Sequence, residues 1–428
     1  MKFYKNPPTN RWQKISARPS MSAPALGKLV NEIFTAVQSE GDRALSNYTK
    51  QFDGVAHNKL IVSSTMVNEL SKQVSPELKR AIDEAWRNIR QFHEVQQLDG
   101  KRETVQIQRG VMCWRESRAI ERVGLYIPAG SAALVSTVLM LGVPAQLAGC
   151  KEIIVCTPPN RDGKIDPAIC YAIRKIGATR VVAVGGAQAI AGLAVGTKSV
   201  PKVDKIFGPG NQYVTAAKTY AQNFGVAIDM PAGPSEVLVI ADNSASPAYV
   251  AADLLSQAEH GADSQVALVT DSARLVTDVK AELKIQLKAL PRQEIAMKAL
   301  ENSFCVVFEK LNTAMKFANV YAPEHLILNV NNPKNFSKGV VNAGSVFLGA
   351  YSPESAGDYA SGTNHTLPTN GWARSYGGVA LDSFVKKVTF QMLTKSGLRT
   401  LAPTIVTLAD AENLAAHVRA VSIRLNEK

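Results

Sequence analysis

The chain has 428 residues, 46% hydrophobic and 20% charged, which is ample apolar material for more than one packed core. Its formal net charge is +12 and its isoelectric point about 9.4, a balance that raises nucleic acids and anionic ligands as partners. The Lys and Arg residues are scattered, however, with no dense basic run and no RNA-binding or zinc-finger signature; this argues against nucleic acid and leaves a solvated surface with some attraction for a phosphate-bearing cofactor.

The first ten residues, MKFYKNPPTN, lack the apolar centre of a signal peptide. Leu26, Leu29, Val30, Ile33 and Val37 then recur at helical spacing and predict an amphipathic helix ending near Gly41. Ser75-Pro76 reads as the N-cap and first residue of another, with Leu78, Ile82, Trp86 and Ile89 inward and His93 at its far end. Val105 to Trp114 alternates around Gly110 like a small hairpin.

From Arg122 the rhythm changes. Strand-like Arg122–Ile127, Glu152–Thr157 and Arg180–Val184 alternate with helix-like 136–148, 167–176 and 187–195, and a short strand Lys205–Phe207 precedes a helix from Asn211. The pattern restarts after Pro231-Ala232-Gly233-Pro234, with strands at 237–241, 265–270, 305–308, 325–329 and 345–348. Such βαβ alternation implies parallel sheets covered on both faces, and the Pro/Gly stretch divides two α/β units. A smaller tail follows Tyr376 and ends in a helix with Leu414, Val418, Val421 and Leu425 on one face. The most apolar run, Leu134 to Ala148, carries Ser136, Thr137, Pro144 and Gln146 and is too short to cross a bilayer. Five cysteines without CxxC spacing point away from disulfides and thiolate metal sites, and towards a reducing, cytoplasmic setting.

Three Gly-rich turns stand out: Tyr126 to Gly130, Val184-Gly185-Gly186-Ala187-Gln188 and Phe207-Gly208-Pro209-Gly210-Asn211. The last two lie between a strand and a helix, where backbone amides can meet phosphate. Without GxGxxG and its distant acidic partner, such turns serve as readily to bend a strand into a helix.

Ser256-Gln257-Ala258-Glu259-His260-Gly261 closes a helical run that starts at Pro247. The spacing predicts Gln257 and His260 on one helix face, with Gly261 as the stop. Four of the six histidines lie beyond residue 250: His260, His325 in Tyr321-Ala322-Pro323-Glu324-His325, His365 in the Gly/Ser/Thr-rich stretch 355–365 with Asp358, and His417 on the last helix. Each has a structural alternative: His417 as a core histidine, Glu324-His325 as a surface dipeptide, Asp358 as a turn cap. Together, two histidines, a carboxylate and an amide oxygen make a coherent N/O zinc shell with a protein charge of only −1, which would welcome neutral nitrogen donors. Glu324 and His325 are adjacent acid–base groups suited to proton transfer at neutral pH.

QAEHG, APEHL, GSVFLG, SPESAGDYASGTNHTLP, GPGN, AGPSE and the closing helix around His417 resemble the histidinol dehydrogenases over nearly the whole chain. The resemblance implies an α/β fold of two incomplete Rossmann-like domains with parallel sheets and small helical segments at both ends. Its domains would be an N-terminal arm (1–20), a substrate and metal domain (21–120 with 236–376), an NAD-binding domain (121–235) and a C-terminal tail contributing to the dimer (377–428). It implies four-electron oxidation of L-histidinol to L-histidine through the aldehyde with two NAD, the last step of histidine synthesis, and one zinc ion per subunit. By position, Gln257, His260, Asp358 and His417 match metal ligands, and Glu324 and His325 the catalytic pair. Tyr126, Gln188 and Asn211 match NAD contacts. Ser235, His365 and Glu412, with His325 and the metal ligands, match the substrate-binding set. His417 would come from the partner subunit of a homodimer. The residues alone also admit a zinc hydrolase using Glu324, or a basic nucleic-acid binder, though no reading element supports the latter.

Overall fold

Two six-stranded sheets carry the fold in the computed structural model, which describes residues 1–19, 23–56, 59–96, 104–129 and 133–426. The first sheet runs Ile61–Val62, Arg180–Val182, Glu152–Cys156, Arg122–Tyr126, Lys205–Phe207, Ala227–Ile228. Its pairings are parallel apart from the antiparallel edge strand Ile61–Val62. The second runs Lys2–Lys5, Phe304–Val307, Gln265–Thr270, Glu236–Ala241, His325–Asn329, Ser345–Leu348 and is parallel throughout. Setting aside the added edge strand of each, both sheets have the strand order 3-2-1-4-5, counted along the chain. That is the doubly wound arrangement, whose switch point lies between the first and fourth strands.

The strands are apolar because both faces are covered. Every residue of Glu236–Ala241 and Gln265–Thr270 is buried. One face of the second sheet packs under the helices Pro247–Ala258, Ala273–Leu287 and Gln293–Glu301. Its other face packs around Trp12, Phe304, Phe308, Phe317 and Tyr321, with edge-to-face ring contacts of 5.5–6.0 Å among them. The apolar run noted above forms the helix Val135–Ala148, buried from Thr137 to Ala145. No helix among the described residues is long and apolar enough to cross a membrane.

Most predicted elements appear within a residue or two of their expected ends. The helix over Gln257 and His260 is corrected: it spans Pro247–Ala258, with Glu259 as C-cap, so His260 sits in the turn beyond it and Gly261 is not its stop. The Gly/Ser/Thr-rich stretch 355–365 begins within the short helix Glu354–Tyr359, which carries Asp358. Between the strands Gln265–Thr270 and Phe304–Val307 lie two helices, parted before Gln293, where Pro291 removes a backbone donor. Gly130, the end of the first Gly-rich turn, lies outside the described residues.

The chain divides into two packed units: Met1–Gln96 with Ile120–Ser383, and Gln97–Ala119 with Phe384–Lys428. Both six-stranded sheets belong to the first. In the second, the hairpin Val105–Gln108 and Val111–Ala119 is joined antiparallel by Val385–Leu393, with Trp114 stacked on Phe390 at 5.4 Å. The helices Lys395–Ala411 and Ala415–Asn426 follow.

Candidate active site

At the switch point of the first sheet, the chain leaves Arg122–Tyr126 and Lys205–Phe207 side by side and opens a cleft of about 680 Å³. Tyr126, Gln188 and Asn211 line it, with Asp53, Pro128 and Arg292. The Tyr126 phenol accepts the Gly186 N–H at 3.2 Å, which ties the first strand to the start of the helix Gly186–Val195. Burial pushes that phenol up to about 12, so it stays a neutral hydroxyl. Gln188 is fully buried, yet both polar atoms of its amide lack a protein partner. Asn211 caps the helix Gln212–Ala221, its Oδ1 accepting the N–H groups of Tyr213 and Val214 at 3.1 Å.

A second cavity, of about 260 Å³, shares Pro128, Leu134, Asn211 and His260 with the first. Ser235, Gln257, His260, Glu324, His325, Asp358 and His365 all line it. In the second sheet these groups precede the strands: Ser235 comes before Glu236–Ala241, and Glu324 before His325–Asn329. The site therefore joins the carboxyl end of the first sheet to the amino end of the second, an arrangement that the carboxyl-end rule anticipates for the first sheet only.

Local backbone sets the Glu324–His325 dipeptide. The helix Leu311–Tyr321 stops at Ala322, which takes a left-handed φ of 53° although it is not glycine, and Pro323 then turns the chain into Glu324. Glu324 accepts the Glu236 N–H at 2.8 Å. His325 Nδ1 lies 3.0 Å from the Glu236 carbonyl oxygen, which can only accept, so Nδ1 carries the proton. His325 Nε2 is buried without a hydrogen-bond partner, 3.6 Å from Asp358 Oδ1. Burial by itself would lower the His325 pKa, but Glu324, Asp358 and Glu354 outweigh it and hold the imidazole well above its ordinary value. Burial pushes the Glu324 carboxyl up against the pull of His325.

His365 is held by Asp358: its Nδ1 donates to the Asp358 carbonyl at 3.0 Å, and its Nε2 accepts from Thr137 Oγ1 at 3.2 Å. Gln257 is buried and its Oε1 has no partner, while Glu354 bonds its side chain and accepts the Ser256 hydroxyl at 2.8 Å. The His260 ring projects into the open cavity; enclosure by the walls lowers its pKa, against the pull of Asp358. Burial raises the Asp358 carboxyl, but the neighbouring histidines, His325 first, bring it below its ordinary value.

Glu324, Glu354 and Asp358 thus crowd one imidazole in a buried site, where burial pushes Glu354 up to about 8 and a divalent cation would favour the charged carboxylates. His260, Asp358 and the unpartnered Gln257 oxygen are N/O donors of the kind zinc accepts. Among the described residues no three His, Cys, Asp or Glu side chains gather as a metal site, so a four-ligand shell needs a further donor. Glu412 and His417 belong to the second unit, where both are exposed; Glu412 caps the helix Lys395–Ala411, and His417 lies in the first turn of Ala415–Asn426. Sequence reasoning did not single out Glu236, Glu354 or Thr137. Glu236 and Glu354 stand inside AGPSE and SPESAGDY, but only the packing assigns them partners.

The histidinol dehydrogenase family model matches residues 16–425. A histidinol dehydrogenase from Bacteroides fragilis is 52% identical over 427 residues, covering 100% of this chain and 99% of its own. The chloroplastic enzyme of Arabidopsis thaliana is 52% identical over 419 residues, covering 96% and 88%. The crystal structure of histidinol dehydrogenase from Elizabethkingia anophelis superposes with a TM-score of 0.95 at 53% identity, covering 99% and 98%. A betaine aldehyde dehydrogenase from Staphylococcus aureus, at 12% identity, 90% and 84% coverage and a TM-score of 0.50, shares the fold alone. The chain belongs to the histidinol dehydrogenase family, oxidoreductases of histidine biosynthesis.

Proposed function

We propose that the chain oxidises L-histidinol to L-histidine in two steps, with two NAD per turnover and one zinc ion per subunit, in a cytoplasmic homodimer with shared active sites. One observation carries this reading: Gln257 Oε1 and His325 Nε2 are buried and unpartnered in residues that line one cavity with His260 and Asp358. Gln257, His260 and Asp358 would hold the ion, with His417 of the partner subunit as the fourth ligand. Bound there, zinc supplies a Lewis-acid anchor for the imidazole and amine nitrogens of the substrate, and NAD accepts two electrons per step.

The chain's own groups move the protons. With a cation offsetting the carboxylates that otherwise hold its proton, His325 is a neutral imidazole whose Nε2 takes the alcohol proton, while the Nδ1–H bond to the Glu236 carbonyl keeps the ring in the basic tautomer. Glu324 then removes a proton from water as it adds to the retained aldehyde, and His325 deprotonates the hydrate in the second oxidation. Ser235, His365 and Glu412 complete the substrate set, and Tyr126, Gln188 and Asn211 hold the dinucleotide. Among the described residues no cysteine lines either cavity. Burial pushes Cys156 and Cys170 up to about 12 and Cys305 to about 11, so thiol addition to the aldehyde has no support.

Absorbance of reduced nicotinamide with histidinol as substrate tests the reading. Two NADH should form per histidine, and a chelator should abolish turnover until zinc is restored. One NADH per product, or turnover untouched by chelation, would overturn it. A zinc hydrolase, by contrast, would need no dinucleotide.

A further inference from the structure

We propose that Arg18 is a positioning residue for the Glu324–His325 pair, acting through Glu236; the inference rests on the dehydrogenase reading above. Glu236 touches both members with its backbone. Its N–H donates to Glu324 Oε2 at 2.8 Å, and its carbonyl accepts from His325 Nδ1 at 3.0 Å. One residue thereby aims the carboxylate and fixes the imidazole tautomer. Any rotation of its flanking peptides moves both reacting groups together.

What fixes Glu236 is its side chain, which is 1% exposed. Arg18 donates from Nε to one carboxylate oxygen at 3.0 Å and from Nη2 to the other at 2.9 Å, a two-pronged bond that sets orientation as well as charge. The Asn370 N–H adds a third bond to Oε1 at 2.7 Å. Arg18 is itself clamped. Its Nη1 donates to the Ser16 carbonyl at 3.1 Å and its Nη2 to the Tyr321 carbonyl at 2.8 Å, and its guanidinium lies 3.6 Å over the Tyr321 ring. Tyr321 in turn donates its hydroxyl to Gln265 Oε1 at 2.9 Å.

Tyr321 is the last residue of the helix that leads through Ala322 and Pro323 into Glu324. Arg18 therefore grips both approaches to the acid–base pair: the strand start at Glu236 and the chain that delivers Glu324. It also neutralises a carboxylate that would otherwise add to the negative charge already buried beside Glu324. The N-terminal segment becomes part of the active centre without touching substrate.

The test uses the full-length zinc-loaded enzyme and compares Arg18→Met, Arg18→Lys and the double variant Arg18→Met/Glu236→Gln. Arg18→Met should lower kcat with histidinol about 10- to 100-fold, the scale of a small misplacement of reacting groups, with KM for histidinol and NAD and the zinc content close to parental. Arg18→Lys keeps the charge without the fork and should recover part of the rate. The double variant leaves no unpaired buried charge, so it should fold even where Arg18→Met does not, and should still be slow. A folded Arg18→Met enzyme that loses thermal stability while keeping kcat would overturn the proposal. So would a double variant that regains parental kcat, or a change confined to KM. A parent enzyme that forms no NADH would refute the dehydrogenase reading itself, whereas an active parent with indifferent variants refutes only the positioning role.

Discussion

In the proposed mechanism, the role of His325 rests on one hydrogen bond. Its Nδ1 is committed to the Glu236 carbonyl, so only Nε2 is left to act as a base. Replacing His325 by Ala should suppress both oxidations by about 10²- to 10⁴-fold, the usual worth of a positioned base. Glu324→Gln should spare alcohol oxidation and slow the aldehyde step. Single-turnover NADH formation from histidinol and from the aldehyde separates the two, and equal losses would dissolve this division of labour. Asp253 makes a different prediction. It is buried on the helix Pro247–Ala258, and burial alone pushes its carboxyl up to about 7. The folded state therefore holds that proton more tightly than the unfolded chain, and stability falls as pH rises between about 4 and 7, then levels off. Asp253→Asn should remove this loss. Its melting temperature should exceed the parent's at pH 8, and the gap should close towards pH 4.

Among the elements, the turn Gly208-Pro209-Gly210-Asn211, the proposed dinucleotide loop, is braced from below. Gly208 has a φ of 137°, and an added Cβ would overlap the Tyr126 carbonyl oxygen, so only glycine brings the two central strands of the sheet this close. The Gly208 N–H donates to Asp229 at 2.8 Å and its carbonyl accepts from Lys218 at 2.7 Å, while Lys218 and Asp229 form a fully buried ion pair. Lys218→Met strands the Asp229 charge and should cost about 3–5 kcal/mol in urea denaturation. Because the same pair holds the loop bearing Asn211, KM for NAD should rise as well. Lys218→Met/Asp229→Asn should recover much of the stability but not the NAD affinity.

For the molecule as a whole, the proposal turns on two subunits sharing each site. Variants His260→Asn and His417→Asn should each be inactive alone. Unfolded together and refolded as a mixture, they should regain about a quarter of parental activity, because random pairing makes half the dimers mixed and each mixed dimer rebuilds one intact site of two. No recovery would place His417 outside the shared site. Zinc should also raise the melting temperature of the parent by mass action, and less so for either variant.

The order of residues along the chain dictates the alternation of buried strands and amphipathic helices from Arg122 onward, because each strand covered on both faces must be apolar along its length. It also determined which side chains are capable of metal and acid–base chemistry, since residue type alone limits donors and titration. Where those side chains meet is set by folding alone. The helix that was to carry His260 ends at Ala258, and the turn beyond it places the ring in the cavity. The strands Lys2–Lys5 and Val385–Leu393 gave little local signal, because their pairing partners lie far away along the chain. The partners of Arg18, Glu236 and Glu354 were invisible for the same reason: a buried charge is defined by its neighbours, and those come from segments that only folding brings together.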